Sequence, residues 1–143
     1  QDISTWDVSH VTDFSSMFSG ASNYNSPLNS WNTSSALDMH EMFYNNCAFN
    51  QPLSNWDTSH VTNMEGMFNG ACTFNQDIST WNVSQVNNME ATFYGTTNFN
   101  QPLNSWDVSN VTTMRQMFIN AVSFNGDISK SEYRCYTNNF KRY

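Results

Sequence analysis

Residues 49–71 read FNQPLSNWDTSHVTNMEGMFNGA, and close copies of this stretch recur every 25 residues along the chain. Tryptophan keeps the interval without one slip, at Trp6, Trp31, Trp56, Trp81 and Trp106. Phenylalanine and asparagine keep it too, at Phe18, Phe43, Phe68, Phe93 and Phe118, and at Asn25, Asn50, Asn75, Asn100 and Asn125. An interval of this size is the length of one supersecondary unit that stacks on copies of itself. The sequence therefore predicts a repeat architecture.

Within one copy, the spacing of apolar residues predicts a short helix followed by short strands. Apolar residues fall at helical spacing at Val61, Met64, Met67, Phe68 and Ala71. Phe74 and Ile78 then share one face at the period of two that strands show. Because the spacing from Ile78 to Trp81 is odd, a corner is expected between them, near Ser79 and Thr80.

The fold class that follows is a leucine-rich-repeat-like repeat solenoid. We predict five 25-residue coils over residues 1–129, each with a short helix and short strands that form parallel ladders. About nine positions in each copy point inward, and one coil alone cannot bury that set, whereas stacked coils shield one another. Residues 130–143 depart from the repeat and are predicted to form a divergent basic aromatic C-terminal tail or cap.

Charge is distributed unevenly over the chain. Residues 1–129 carry eleven acidic side chains and one basic one, whereas residues 130–143 carry four basic and one acidic, for a net charge of −7. An acidic body argues against nucleic acid as a partner, because phosphates demand a basic surface, and against an anionic membrane surface. No apolar run approaches the roughly 20 residues that a spanning helix needs, so no membrane span is predicted.

The polar ladders are interpreted as part of the scaffold. Stacked asparagines can hydrogen-bond backbone groups at a corner, and a serine ladder, Ser9, Ser34, Ser59, Ser84 and Ser109, is expected to provide turn hydroxyls. The position after each tryptophan alternates carboxylate with amide, as Asp7, Asn32, Asp57, Asn82 and Asp107, so carboxylates do not cluster as a calcium site would require. We therefore expect no metal, no cofactor, no catalytic residues and no enzyme activity.

The repeat resembles the BspA-like leucine-rich-repeat surface protein family, in its mycoplasma-type lipoprotein branch with 25-residue repeats. Three blocks carry the resemblance in fixed order: Phe-Asn-Gln-Pro/Asp-Leu/Ile, Trp-Asp/Asn-Val/Thr-Ser and Met-x-x-Met-Phe. They cover residues 1–129, and the departures at Thr92 and Ala36 do not upset the pattern. The resemblance implies a leucine-rich-repeat-like solenoid at a cell surface or in a secreted protein, associated with adhesion and protein interaction, with no catalytic residues to carry over.

Three sequons make the chain a candidate glycoprotein. They begin at Asn32, Asn82 and Asn110. The repeat itself explains two of them, because serine is fixed two residues after the position that follows tryptophan. Occupancy is therefore expected only if the source is a secreting eukaryote.

Cys47 and Cys72 occupy the same position in adjacent copies. Stacking places their Cα atoms roughly 5 Å apart, within the range of a disulfide, which an oxidising compartment would favour. The alternative is two small thiols, since the equivalent residues are Ser22, Thr97 and Val122. Cys135 is left over in the tail, free or linked to another chain.

We expect the residues that determine function to lie where the 25-residue pattern is interrupted, in the first coil and in the tail. Gln1 begins in mid-pattern, with neither a signal peptide nor an initiator methionine, so the chain is expected to be a mature or partial product. An open first coil could accept the tail of another copy, because a head-to-tail contact that does not close produces a filament. The candidates for assembly or capping are Tyr133, Arg134, Cys135, Tyr136, Phe140, Lys141, Arg142 and Tyr143.

The predicted function is that of a non-enzymatic extracellular or cell-surface structural and interaction protein. Its expected partner is itself, as a head-to-tail homo-oligomer that forms a surface fibril, or another surface protein or glycan. The alternative is an adhesin or ligand-binding module, for a glycan or a protein receptor, presented on a cell surface. A chain cut from a longer protein, whose other residues cover the first coil, is the competing interpretation of the open end.

Overall fold

A computed structural model of the chain describes residues 1–126, which form five stacked repeats: residues 1–25, 26–50, 51–75, 76–100 and 101–125, here called repeats 1 to 5. The stacking is seen in the tryptophan rings of repeats 2 to 5. Each ring lies 6.3–6.5 Å from the next, with planes within 5° of parallel. The predicted 25-residue period is therefore a period of the structure.

The predicted secondary structure is wrong. Residues 1–126 contain no helix and no extended strand, so the leucine-rich-repeat-like solenoid of helices and strands is not the observed fold. Parallel pairing is limited to single bridges between adjacent repeats, Asp13 to Asp38, Asp38 to Asn63, Asn63 to Asn88 and Asn88 to Thr113. Each repeat is instead a succession of tight turns.

The turns explain why the sequence resembled a helix. In repeat 3 the N–H of Met67 donates to the carbonyl of Met64, and the N–H of Ala71 donates to the carbonyl of Phe68. Successive four-residue turns place apolar residues inward at i, i+3, i+4 and i+7, which is also the spacing of a helical stripe.

Left-handed residues prevent the helix from forming. Gly66 has a φ of 58° and Gly70 a φ of 72°, each at the third position of a turn, as in type II turns. The equivalent positions of the other repeats are left-handed as well, even where they are not glycine, at Ser16, Glu41, Ala91 and Gln116. A right-handed helix cannot continue through such a residue.

Backbone hydrogen bonds between repeats replace those of a helix. From repeat 3, the N–H groups of Met64, Gly66, Phe68 and Gly70 donate to repeat 4, to the carbonyls of Asn88, Glu90, Thr92 and Tyr94. The equivalent four bonds join each of the other three pairs of adjacent repeats, at 2.7–3.0 Å. At these four positions each repeat therefore offers donors toward the next repeat and acceptors toward the preceding one, whereas at Thr62 and its equivalents the later repeat donates to the earlier one.

The core lies inside the stack, and the nine inward positions predicted for each repeat are buried in repeats 2 to 5, whereas Trp6 and Met17 of repeat 1 are exposed. In repeat 3 they are Leu53, Trp56, Thr58, Val61, Met64, Met67, Phe68, Ala71 and Phe74, all buried. Aromatic rings run through the stack in columns, meaning residues 25 apart, and the rings of Phe18, Phe43, Phe68, Phe93 and Phe118 are 5.4–5.8 Å apart. The corner expected near Ser79 is confirmed by the bond from the Trp81 N–H to the Ile78 carbonyl.

Asparagine side chains bond the repeats at a second place, as the sequence predicted. The Oδ1 atom of each asparagine in the column accepts the backbone N–H of the next, from Asn50 to Asn25 and onward to Asn125, at 2.9 Å each. The ladder of serines lies in turns, where the Ser59 N–H donates to the Asp57 carboxylate. Both ladders are structural.

Two side chains break the pattern of satisfied polar groups, the Tyr24 hydroxyl and the Asn46 amide. Asn46 is fully buried, and neither atom of its amide has a hydrogen-bond partner. Its column holds Ala21, Ala71 and Thr96, and the Thr96 hydroxyl donates to the carbonyl of Phe68 at 2.7 Å. A buried polar group without a partner costs about 1–3 kcal/mol.

Asn46→Ala is therefore expected to raise the free energy of unfolding by about 1–2 kcal/mol. Thr96→Ala, at the equivalent position, is expected to lower it by about 1 kcal/mol, because the hydrogen bond to Phe68 is lost. Urea denaturation of both variants gives the comparison. A loss of stability in Asn46→Ala would mean that the amide has a partner after all.

Candidate functional site

The candidate site is the backbone edge that repeat 1 presents away from repeat 2. The carbonyls that would accept bonds from a preceding repeat belong to Asp13, Ser15, Met17 and Ser19. Their counterparts in repeat 2, Asp38, His40, Met42 and Tyr44, each accept an N–H from repeat 1. Within residues 1–126 those four carbonyls of repeat 1 accept no hydrogen bond. We call these four carbonyls the acceptor edge.

Apolar side chains beside the acceptor edge are exposed. Trp6 is 50% exposed, whereas the other four tryptophans are buried. Met17 is 39% exposed, whereas Met42 and Met67 in its column are fully buried. Both residues would be covered if one more repeat lay on repeat 1, as each later repeat lies on the one before.

The Trp6 indole N–H also needs a hydrogen-bond acceptor. In repeats 2 to 5 the tryptophan N–H donates to the carbonyl of a leucine or isoleucine 28 residues earlier, at 2.9–3.1 Å. For Trp6 no such carbonyl exists within residues 1–126. An occupant of this face would therefore need carbonyl acceptors as well as N–H donors.

The charge of repeat 1 is acidic. Its carboxylates belong to Asp2, Asp7 and Asp13, and it holds no lysine or arginine. Hydrogen bonds from Ser9 hold the pKa of Asp7 below its ordinary value, and bonds from Ser15 do the same for the pKa of Asp13. The backbone N–H of Ser4 likewise lowers the pKa of Asp2. All three groups are therefore negatively charged at neutral pH.

The same serine bonds make the stability of the stack depend on pH. The Ser59 hydroxyl and backbone N–H hold the pKa of Asp57 below its ordinary value of 3.8. Because the folded protein has the lower pKa, the unfolded chain binds the proton more readily as the solution is acidified. The stability that Asp57 contributes is present above its unfolded pKa and is lost as the pH falls through its folded pKa.

We expect the free energy of unfolding to be flat from pH 7 to pH 5 and to fall below about pH 4. Asp57→Asn is the informative variant, because Asn32 and Asn82 hold the same turn in the same column through their own Oδ1 atoms. Urea denaturation from pH 6 to pH 3 should show a shallower acid loss for this variant. An identical acid profile would exclude Asp57 as a contributor.

The three sequon asparagines lie on the polar outside of the stack. Asn32 and Asn82 are exposed, and their Oδ1 atoms accept the backbone N–H groups of Ser34 and Ser84. The Asn110 Nδ2 atom donates to the carbonyl of Ser84 at 2.7 Å, so that nitrogen already has a partner. Glycosylation of these residues stays a prediction.

The two cysteines of one column lie side by side. Cys47 and Cys72 form a disulfide in the structure, with Cα atoms 4.6 Å apart. The bond joins repeat 2 to repeat 3 at a partly exposed position. Cys135 lies outside the described residues, as do the other assembly and capping candidates, Tyr133, Arg134, Tyr136, Phe140, Lys141, Arg142 and Tyr143.

Residues 1–126 hold no helix with the length and apolar character needed to cross a membrane. They also hold no group of three or more histidine, cysteine, aspartate or glutamate side chains placed to bind a metal ion.

Sequence reasoning missed Trp6 and Met17, the two side chains that distinguish repeat 1. Both were assigned to the core by their columns, since every column was treated as uniform. Their place in repeat 1 could have indicated this exposure, because within residues 1–126 repeat 1 has a neighbouring repeat on one side only.

Comparison with known proteins gives a family without a function. A family model described as a mycoplasma protein of unknown function, DUF285, matches residues 1–59 and 50–142. No curated protein matches the chain, and no solved structure does. The match agrees with the mycoplasma-type repeat seen in the sequence but does not confirm a BspA-like leucine-rich-repeat protein. The chain belongs to the DUF285 family of mycoplasma proteins of unknown function.

Proposed function

We propose that this chain is a non-enzymatic extracellular structural and interaction protein whose repeats associate end to end with those of other copies. The observation that supports the proposal is the acceptor edge of repeat 1, together with the exposed Trp6 and Met17. In each of the four contacts between adjacent repeats, the equivalent carbonyls are paired and the equivalent side chains are covered. The face therefore has the chemistry of an interface between repeats.

Such a contact would be directional. At the positions equivalent to the acceptor edge, N–H groups donate to the next repeat, whereas the N–H of Thr62 donates to Leu37 of the preceding one, so the two ends of the stack differ. A contact between unlike ends does not close on itself and extends into a filament. The proposal therefore includes a surface fibril rather than a closed dimer.

The experiment compares two exposed apolar residues, one on the end face and one on the side of the stack. Met17→Lys places a charge where an added copy would bury it, and burial of an unpaired charge is strongly unfavourable. Leu37→Lys is the matched control, because Leu37 is 48% exposed while its backbone is bonded to both neighbouring repeats.

Sedimentation velocity over a concentration series should show growing oligomers for the wild-type chain and for Leu37→Lys. Met17→Lys should require at least tenfold higher concentration to associate. A wild-type chain that stays monomeric over the whole series would remove end-to-end assembly, and equal association of the two variants would place the contact elsewhere.

The second candidate is an adhesin or ligand-binding module, and the column of Tyr44, Asn69 and Tyr94 favours it. Both tyrosines are partly exposed on the side of the stack. Aromatic faces with polar neighbours can stack against sugar rings. A glycan array separates this candidate from the first, because binding that is lost in Tyr44→Ala or Tyr94→Ala would support it, and an array without binding would count against it.

A further inference from the structure

We infer that the column of Tyr44, Asn69 and Tyr94 binds a linear, neutral, β-linked glycan that runs along the stack, with alternate sugar rings on the two tyrosines. The inference rests on the second candidate function above and names the class of glycan and its direction. All three residues lie in repeats 2 to 4, where each repeat is bonded to a neighbour on both sides.

The spacing of the two tyrosines fits such a glycan. Tyr44 and Tyr94 occupy the same position two repeats apart, with Asn69 between them. In a column three positions further along, the Cα atoms of Cys47 and Cys72 are 4.6 Å apart. The Cα atoms of the two tyrosines are therefore separated by roughly 9–10 Å, which is two spacings of paired backbones. Alternate rings of an extended β-linked glycan are about this far apart and present the same face, whereas an α-linked chain coils.

The backbone of this column is fixed, while its side chains are available to a ligand. The carbonyls of Tyr44, Asn69 and Tyr94 accept N–H groups of the preceding repeat at 2.7–2.8 Å. Their side chains have no hydrogen-bond partner within residues 1–126, and all three residues are partly exposed. Two aromatic rings with an amide and two hydroxyls between and beside them give the mixture of apolar faces and a few polar groups that ligand sites show.

The surface beside Tyr94 is open to a sugar ring. Gly95 is partly exposed, and a Cβ atom at that position would meet no atom outside its chain neighbours closer than the Gly70 backbone, at 3.9 Å. Glycine at such a place lets a ligand approach the backbone closely. Exposed amides precede and follow the two glycines in their column, at Asn45 and Asn120. A ring on Tyr94 would therefore meet backbone and amide groups.

Charge decides between neutral and acidic glycans. Repeats 2 to 4 hold no lysine or arginine, and their carboxylates belong to Asp38, Glu41, Asp57, Glu65, Asp77 and Glu90. Glu41, Glu65 and Glu90 lie on the turn that precedes the tyrosine column and are partly exposed. Like charge rejects sulfated and carboxylated sugars, whereas a carboxylate can accept hydrogen bonds from the hydroxyls of a neutral sugar.

Isothermal titration calorimetry of the chain with cellohexaose, N-acetylchitohexaose and β-mannohexaose tests the inference. At least one of these is expected to bind, whereas maltohexaose, which is α-linked, and a heparin hexasaccharide are not. A trisaccharide is the shortest chain that reaches both tyrosines. The trimer of the sugar that binds should therefore bind about tenfold more tightly than its dimer, because it contacts a second aromatic ring.

Variants of the column give the matched comparison. Tyr44→Ala and Tyr94→Ala should each weaken binding of the trimer about tenfold and remove the difference between trimer and dimer. Tyr94→Phe keeps the ring and should retain most of the affinity. Leu37→Ala is the control, because Leu37 is exposed on the side of the stack in another column, and it should bind as the wild-type chain does.

The outcomes separate the inference from the proposed function. Binding of an acidic or α-linked glycan, or binding of a neutral one without the difference between trimer and dimer, would overturn the inference and leave a glycan-binding module in place. Equal losses in Leu37→Ala and Tyr94→Ala would place the glycan elsewhere and also overturn the inference. A chain that binds no glycan at all would remove the second candidate function together with the inference, and end-to-end assembly would be unaffected.

Discussion

Removal of the Cys47–Cys72 disulfide is expected to lower the free energy of unfolding by about 3.5 kcal/mol. The bond closes a loop of 25 residues and ties repeat 2 to repeat 3. In the chain-entropy account, a link across a loop of that length restricts the unfolded chain by this amount. In a stack each repeat contacts only its neighbours. The disulfide therefore crosses one interface only, that between repeats 2 and 3.

The variant Cys47→Ser/Cys72→Thr removes the bond with residues that the same column already uses, at Ser22 and Thr97. Guanidinium denaturation should show the loss relative to the oxidised chain. Cys135→Ser is the control, because it leaves the pair in place. Equal stability of the double variant and the oxidised chain would mean that the two cysteines are not bonded in solution.

Trp81→Ala is expected to cost about 3–5 kcal/mol of stability. Trp81 is buried, and its ring is stacked between those of Trp56 and Trp106 at 6.3 and 6.5 Å. Its indole N–H donates to the carbonyl of Leu53 at 3.0 Å. The substitution therefore leaves a cavity, breaks the ring column and removes one partner of a buried carbonyl.

Trp6→Ala provides the comparison, because it changes the same residue type in the same column. Trp6 is half exposed, so we expect a loss of about 1 kcal/mol or less for a monomeric chain, since little apolar area is removed from the core. Thermal denaturation of dilute samples measures both variants. Similar losses at the two positions would show that repeat 1 is covered as the inner repeats are.

The period of the structure could be predicted from the sequence, but its local conformation could not. Columns of Trp, Phe and Asn place the repeats over one another, and the structure keeps those columns. The stripe Met64, Met67, Phe68 and Ala71 was interpreted as a helix because successive turns have the same inward spacing. Only backbone angles separate the two, and residues such as Glu41 and Ala91 are left-handed without being glycine.

The candidate site was predictable only in outline. An open first coil followed from the repeat, and the acidic residues of repeat 1 can be counted in the sequence. The exposure of Trp6 and Met17, and the direction in which backbone carbonyls point, depend on which repeat donates to which. That direction is a property of the turns, and no residue type encodes it. The unpartnered amide of Asn46 is likewise visible only once its neighbours are placed.

The account depends most on the backbone bonds between repeats, because they define the acceptor edge of repeat 1. Scalar couplings across hydrogen bonds, measured by NMR on isotope-labelled chain, report which carbonyl each amide contacts. We predict a coupling from the Gly66 amide nitrogen to the carbonyl carbon of Glu90, in the next repeat. A coupling from Gly66 to the carbonyl of Thr62, four residues earlier, would mean a helix and would contradict the account.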